Sequence, residues 1–356
     1  MKHLIEAIAA HFKTGADTLK LAPIQHGTQQ KHNVCRLNFG NKDYLLKQHD
    51  ITTPVVKAGY TPCQIESIVL STLHRNGCRV PKIIWKSENR HALLLEWCGK
   101  LTLDEIAQSR PVSNLNPLLP TILMELCRVE TVFAENLKRF TPYTFRFDLE
   151  ATLQHLLEQA RKTLDYLSHL NEDPMTSSQT AQLDTAWNAI SNRLRTAPPT
   201  LDSLDYQSRN IVVSDETPFL IDFSSVGWDW QERRLVQYFN SIGAHQEDAN
   251  FVSLLDYDLV NTYAEWVTTH RETCSPTELA ARVDSHHLLF YLSVIHQLLR
   301  AVSQPETAES RALLKAWGNP QARFQSALTQ LTNANLSDDI YTTQIREMVA
   351  NYNNSL

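Results

Sequence analysis

The chain has 356 residues, 42% of them hydrophobic and 20% charged, which suits two packed units or one two-lobed domain and excludes disorder as its main state. Lysine and arginine number 33 against 39 acidic residues, a net charge of -6, so no electrostatic footprint is offered to nucleic acid or to an anionic membrane. The longest apolar run, Leu288 to Ile295, already contains Ser293 and falls far short of the roughly 20 residues that span a bilayer.

Leu4, Ile5, Ile8, Ala9 and Phe12 share one helical face and Thr14-Gly15 stops that helix. Glu6 lies inside it and no small-residue cleavage site follows, so the segment reads as an amphipathic helix and not an export signal; the expected compartment is the cytoplasm. Asn33 to Phe39 and Asp43 to Gln48 alternate around Gly40-Asn41-Lys42, the pattern of a β-hairpin. After Pro62, Ile65, Val69 and Leu73 predict a helix ending near Asn76-Gly77, followed by short strands at Lys82 to Trp85 and Ala92 to Trp97. From Leu101 the period is helical: Ile122, Leu126, Val129 and Phe133 form one stripe, and Leu149 to Leu167 a longer one. Residues 171 to 180, rich in Ser, Thr, Asp and Pro, read as a mobile connection before a helix over Leu183 to Leu194. Ile211 to Val213 and Phe219 to Ile221 then form a hairpin embedded among helices. Further helices are predicted over Leu259 to Thr268, Leu288 to Val302, Ala312 to Leu331 and Ile340 to Tyr352.

The six cysteines lack a C-x-x-C pair, so reduced, mostly buried thiols are expected and a structural zinc is not. Neither a G-x-G-x-x-G nor a Walker-type loop occurs. His286, His287 and His296 lack a third ligand at coordinating spacing and read as packed or surface side chains. Polar residues instead gather at the embedded hairpin. Its two ends converge, bringing Asp205 and Asn210 before the first strand towards Asp222 after the second; such hard oxygens suit Mg²⁺ shared with phosphates. Taken singly, each of the three also fits an ordinary turn or strand-end role.

Ser203-Leu204-Asp205-Tyr206-Gln207-Ser208-Arg209-Asn210 resembles the H-x-D-x-x-x-x-N catalytic loop of the aminoglycoside phosphotransferase and choline kinase group, and Leu220-Ile221-Asp222-Phe223 resembles that group's metal-binding I-D-[FW] segment. Tyr44-Leu45-Leu46-Lys47 is similar to its strand with the phosphate-binding lysine, and Glu66 stands on the next helix, where its ion-pair partner is expected. Ile24 to Val34, with Gly27, resembles the nucleotide-covering loop in position, and Leu93 to Gly99, with Glu96 and Cys98, the hinge that offers backbone groups to adenine. The resemblance implies an α+β, two-lobed protein kinase-like fold: a small α/β N-terminal lobe over 1–98 and a mainly helical C-terminal lobe over 99–356. It further implies transfer of the ATP γ-phosphate, with Mg²⁺, to a hydroxyl of a small molecule such as an amino sugar, aminoglycoside, amino alcohol or secondary metabolite; the charge balance and the short apolar runs add the expectation of no nucleic-acid or membrane partner. Asp205 would receive or orient the acceptor proton, Asn210 and Asp222 would hold the metal, and Lys47 would contact phosphate while paired with Glu66.

Two positions depart from the family. Ser203 replaces the histidine that props the catalytic loop, and Arg233-Arg234-Leu235-Val236 stands where a D-L-A segment is usual. The first departure, with the glycine-poor nucleotide loop, motivates an alternative: a nucleotide-binding pseudokinase acting as a regulatory or partner-binding module. Trp228-Asp229-Trp230 reads either as an acceptor-pocket wall or as packing, and Arg209 either as a contact to the transferring phosphate or as a partner of a nearby carboxylate.

Overall fold

The computed structural model describes residues 2–26, 29–145, 148–170, 175–244, 248–271 and 274–353. Helix α1 (Lys2–Phe12) leads into strands β1 (Lys20–His26), β2 (Gln29–Phe39) and β3 (Lys42–Gln48), then helix α2 (Pro62–Arg75) and strands β4 (Ile83–Ser87) and β5 (Ala92–Glu96). The five strands form one antiparallel sheet in the order β1-β2-β3-β5-β4. Its two faces are buried by different partners. Leu37, Leu46 and Leu94 meet Leu4 and Ile8 of α1, while Leu93 and Leu95 point into the core that contains Ile65, Val69 and Leu73 of α2. The period-two alternation of β-structure thus assigns neighbouring residues of β5 to opposite cores. Helix α2 starts on a capping box between Thr61 and Gln64 with Pro62 in its first turn, which fixes the register that puts Glu66 one turn in.

Beyond β5 the chain crosses through β6 (Leu101–Thr102), helices α3 (Leu103–Ser109), α4 (Leu119–Glu135), α5 (Leu137–Phe140), α6 (Leu149–Leu170) and α7 (Ser177–Thr196), and strand β7 (Thr200–Ser203). Strands β8 (Ile211–Ser214), β9 (Thr217–Leu220) and β10 (Val226–Asp229) follow, then α8 (Gln231–Tyr238), β11 (Asn240–Ser241) and β12 (Val252–Ser253). Helices α9 (Tyr257–Arg271), α10 (Pro276–Ser303), α11 (Ala308–Trp317), α12 (Pro320–Thr332) and α13 (Ile340–Asn353) complete the chain. The fold is the two-lobed, kinase-like α+β architecture expected. One continuous core joins α2 to α4, α9 and the hairpin through Ile65, Ile122, Phe133, Leu220 and Phe223; a second packs α6, α7, α10, α12 and α13.

Several expectations are revised. The stretch 24–34, likened in position to the nucleotide-covering loop, comprises the end of β1 and the start of β2 on either side of residues 27–28, which, Gly27 among them, lie outside the described residues. Of the connection expected over 171–180, residues 171–174 also lie outside them, and α7 already starts at Ser177, capped by the Thr176 hydroxyl. The helix expected over Ala312 to Leu331 is two helices, because Gly318 takes φ +72° to end α11 while Asn319 caps α12 and Pro320 opens it. The hairpin turn is tighter than read: Asp215 and Glu216 both have positive φ, the two-residue geometry that matches the strand twist. All six cysteines are free thiols, with Cys63, Cys78, Cys98 and Cys127 buried. No helix is long and apolar enough to cross a membrane among the described residues.

Candidate active site

The cleft forms where the sheet, the segment after β5 and the β8–β9 hairpin meet. Strand β3 delivers Lys47 between two carboxylates: its Nζ donates to Glu66 Oε1 at 2.9 Å and to Asp222 Oδ1 at 2.7 Å. Burial opposes the charge on this ammonium, yet the attraction of Glu66 and Asp222 outweighs it and raises the lysine pKa above its usual value. His49, two residues on and so on the same side of the strand, puts Nε2 2.8 Å from Glu66 Oε2. That contact was overlooked in the sequence, although the period-two spacing from Lys47 signals it.

The hairpin holds the remaining groups. Ile221 N donates to Asn210 O at 2.9 Å, closing the two ends on each other as their spacing predicts. Asn210 Nδ2 donates to the Asp205 carbonyl at 2.7 Å, which leaves the amide oxygen of Asn210 as its atom for a cation. Asp222 sits at φ +64°, a left-handed conformation that turns the chain sharply after β9, and its Oδ1 also accepts from Ser224 Oγ at 2.9 Å. Gln207 Nε2 donates to Asp205 Oδ1, and Arg209 Nε to Gln207 Oε1, so amide and guanidinium form a chain ending on the Asp205 carboxylate. Burial, and then the nearby charge of Asp222, raise the Asp205 pKa above that of an ordinary aspartate. No cluster of three or more His, Cys, Asp or Glu able to cage a metal occurs among the described residues. The donor set is two oxygens, from Asn210 and Asp222, lining the same cavity as Lys47. It fits a hard cation that takes its other ligands from phosphate and water, not a self-sufficient metal cage.

What positions the loop is a guanidinium. Arg234, 1% exposed, donates through Nε to Ser203 O (3.2 Å), through Nη1 to Thr200 Oγ1 (2.7 Å), and through Nη2 to Thr200 O (2.7 Å) and Gly227 O (3.3 Å). It thereby clamps β7, which runs directly into Asp205, against β10. The residue that breaks the D-L-A pattern thus braces the backbone beside the serine that breaks the histidine pattern, and Ser203 Oγ accepts from Asp205 N at 3.3 Å. Sequence reasoning missed this brace because it singled out the two departures separately.

The hinge side is apolar. Ile24, Val34, Leu45 and Leu95 line the cleft with Trp97 and Cys98. Burial pushes the Cys98 thiol up to about 12, so it packs as a neutral side chain, with Sγ 3.8 Å from Glu96 O. Gly99 takes φ +141° and a Cβ there would stand 3.0 Å from Val212 Cγ1 and 3.1 Å from Val213 O, so a side chain would force the crossing segment off the hairpin. Glu96 also lines the cleft, its carboxylate accepting from Lys82 N at 3.3 Å. Trp228 and Trp230 do not line it: Trp228 is partly exposed on β10, and Trp230 is buried in the helical core beside His286. His286 and His287 are buried, and desolvation pushes both down to about 3, so both are neutral packing groups.

No family model and no curated protein matches the sequence. Solved structures do match by fold. A choline kinase of Cryptosporidium parvum is 12% identical with a TM-score of 0.51, over 93% of this chain and 95% of that one. A candidate aminoglycoside phosphotransferase of Ralstonia eutropha is 11% identical with a TM-score of 0.51, over 98% of both chains. At such identities the likeness establishes the fold. The resemblance drawn from the two motifs therefore holds for the architecture.

Proposed function

We propose that the protein is a small-molecule phosphotransferase that uses ATP and Mg²⁺. The observation that supports it most is the convergence of Lys47, Asp205, Asn210 and Asp222, from β3 and both ends of the hairpin, on one cavity. In this reading the nucleotide base lies against the apolar hinge wall, and Lys47 holds the phosphates while Glu66 and His49 fix its position. Asp205 aligns the acceptor hydroxyl. The acceptor oxygen bonds to the γ-phosphorus as the bridging P–O bond to the β-phosphate breaks, ADP departs, and the hydroxyl proton passes to Asp205. Asn210 and Asp222 would hold Mg²⁺, which supplies charge neutralisation on the phosphates. Because the transition state is loose, alignment is most of the catalysis, and a clamped catalytic loop serves that purpose.

A nucleotide-binding module without turnover is the second reading, motivated by Ser203. The brace from Arg234 weakens that motive, since the loop does not depend on an imidazole for support. A screen of hydroxyl compounds with ATP and Mg²⁺, read by mass spectrometry for a phosphate increment, tests the activity. Nucleotide binding without transfer to any acceptor would favour the second reading.

A further inference from the structure

We infer that the acceptor of this phosphotransferase carries an anionic group, a carboxylate or a phosphate, and that Lys315 of α11 with Arg209 of the catalytic loop receives it. The inference rests on the phosphotransferase reading of the cleft. An acceptor whose hydroxyl reaches Asp205 must set the rest of its body against the C-terminal-lobe wall of the cavity. That wall includes Gln207 and Arg209, Ala244, and Ala312, Lys315 and Ala316, the last three at helical spacing on one face of α11. With Lys100 of the segment after β5, which lines the same cavity, it carries three cations, one amide and three methyl groups. The carboxylates that line the cavity are Asp205, set on the hydroxyl, Asp222 and Glu66, both bonded to Lys47, and Glu96 on the hinge side, which accepts from Lys82 N.

An ammonium or amino-sugar acceptor is bound by carboxylates or by aromatic faces. Among the described residues this wall has neither to spare: the tryptophans after the metal segment do not line the cavity, and Trp97 belongs to the hinge. An anion, in contrast, meets charge-assisted donors from both sides. The chain's net charge of -6 would repel such a ligand weakly at long range, so these three cations are a local feature built against the overall balance.

The experiment fills the nucleotide site with Mg²⁺ and a non-hydrolysable ATP analogue and follows the melting temperature on titration with sulfate, D-glycerate, choline or glucosamine. Sulfate and glycerate are expected to raise it and the two cations to leave it unchanged. Lys315→Ala should weaken the response to both anions about tenfold, and Lys315→Glu should abolish it. Mass spectrometry with ATP should show the phosphate increment on hydroxy acids or sugar phosphates in the parent. Stabilisation by choline or glucosamine, no response to either anion, or an undiminished response in both Lys315 variants overturns the inference. A chain that gives no shift with the Mg²⁺-analogue mixture itself, yet still binds anions through Lys315, refutes the phosphotransferase reading and leaves an anion site.

Discussion

The two C-terminal-lobe walls of the cleft are built in contrasting ways. The catalytic hairpin is locked from behind by buried hydrogen bonds: Arg234 to β7 and β10, Asn210 to the Asp205 backbone, and Asp202 Oδ1 accepting from Ser203 N at 2.6 Å. The α11 wall has little behind it, with Ser310 as its buried residue, Leu313 and Trp317 only partly covered, and a break at Gly318-Asn319-Pro320 immediately after it. Chemistry demands placement within a fraction of an ångström, and the first wall provides it. On the proposed phosphotransferase reading the choice of acceptor falls to the second, where residues can change without unsettling the loop.

Removing the brace is the strongest way to break the contrast. Arg234→Met is expected to cost about 3–5 kcal/mol in urea unfolding, because it leaves four buried acceptors without their donor at once. A loss below about 1 kcal/mol would mean that the loop is held by other contacts. Asp205→Asn should lower kcat by roughly 10²-fold or more while the affinity for Mg²⁺·ATP stays within about twofold. In the proposed mechanism Asp205 acts deprotonated, so activity is expected to fall as pH falls, and its raised pKa places that fall above the range of an ordinary aspartate. A kcat unchanged in the variant would remove Asp205 from the mechanism. Asp222→Ala should lose most of the extra stabilisation that Mg²⁺ adds to bound ATP, out of about 2.7 kcal/mol for ligand at 100 times its dissociation constant; a variant that responds to the metal as fully as the parent would refute the ligand role.

The same contrast governs what could be read in advance. Asp205, Asn210 and Asp222 were legible because a hairpin brings sequence neighbours together, and Lys47 with Glu66 because their order along the chain matches a known strand and helix. Arg234 was not, since it acts across 31 residues on backbone carbonyls, which carry no sequence signature. Lys315 reaches the cavity only through the packing of α11 against α10 and α12, a placement that periodicity does not encode. The break before Pro320 was encoded: Gly318 and Pro320 are ordinary stop and start signals, and the apolar period running across them hid it.

The smallest expected effect concerns the charge that the brace faces. Asp202 is 3% exposed, and burial raises its pKa to about 7 although Arg234 pulls in the opposite direction. Its Oδ2 has no hydrogen-bond acceptor or donor partner while Oδ1 serves Ser203 N, an arrangement that suits a protonated acid. The folded state therefore holds a proton that the unfolded chain, with a pKa near 3.8, has released. A raised folded pKa gives stability that is fully present below the unfolded value and lost as pH rises through the folded one. Between pH 6 and pH 8 the loss from this group is about 1.4 kcal/mol. Glu232, also raised by burial to about 7, adds a loss of the same sign. Asp202→Asn keeps the oxygen for Ser203 N and removes the titration, so it should flatten the decline in unfolding free energy between pH 6 and pH 8 by that amount, leaving the contribution of Glu232. A variant whose stability declines with pH as steeply as the parent's would show that Asp202 is ionised in the folded protein, with Arg234 bracing the loop and neutralising a charge at the same time.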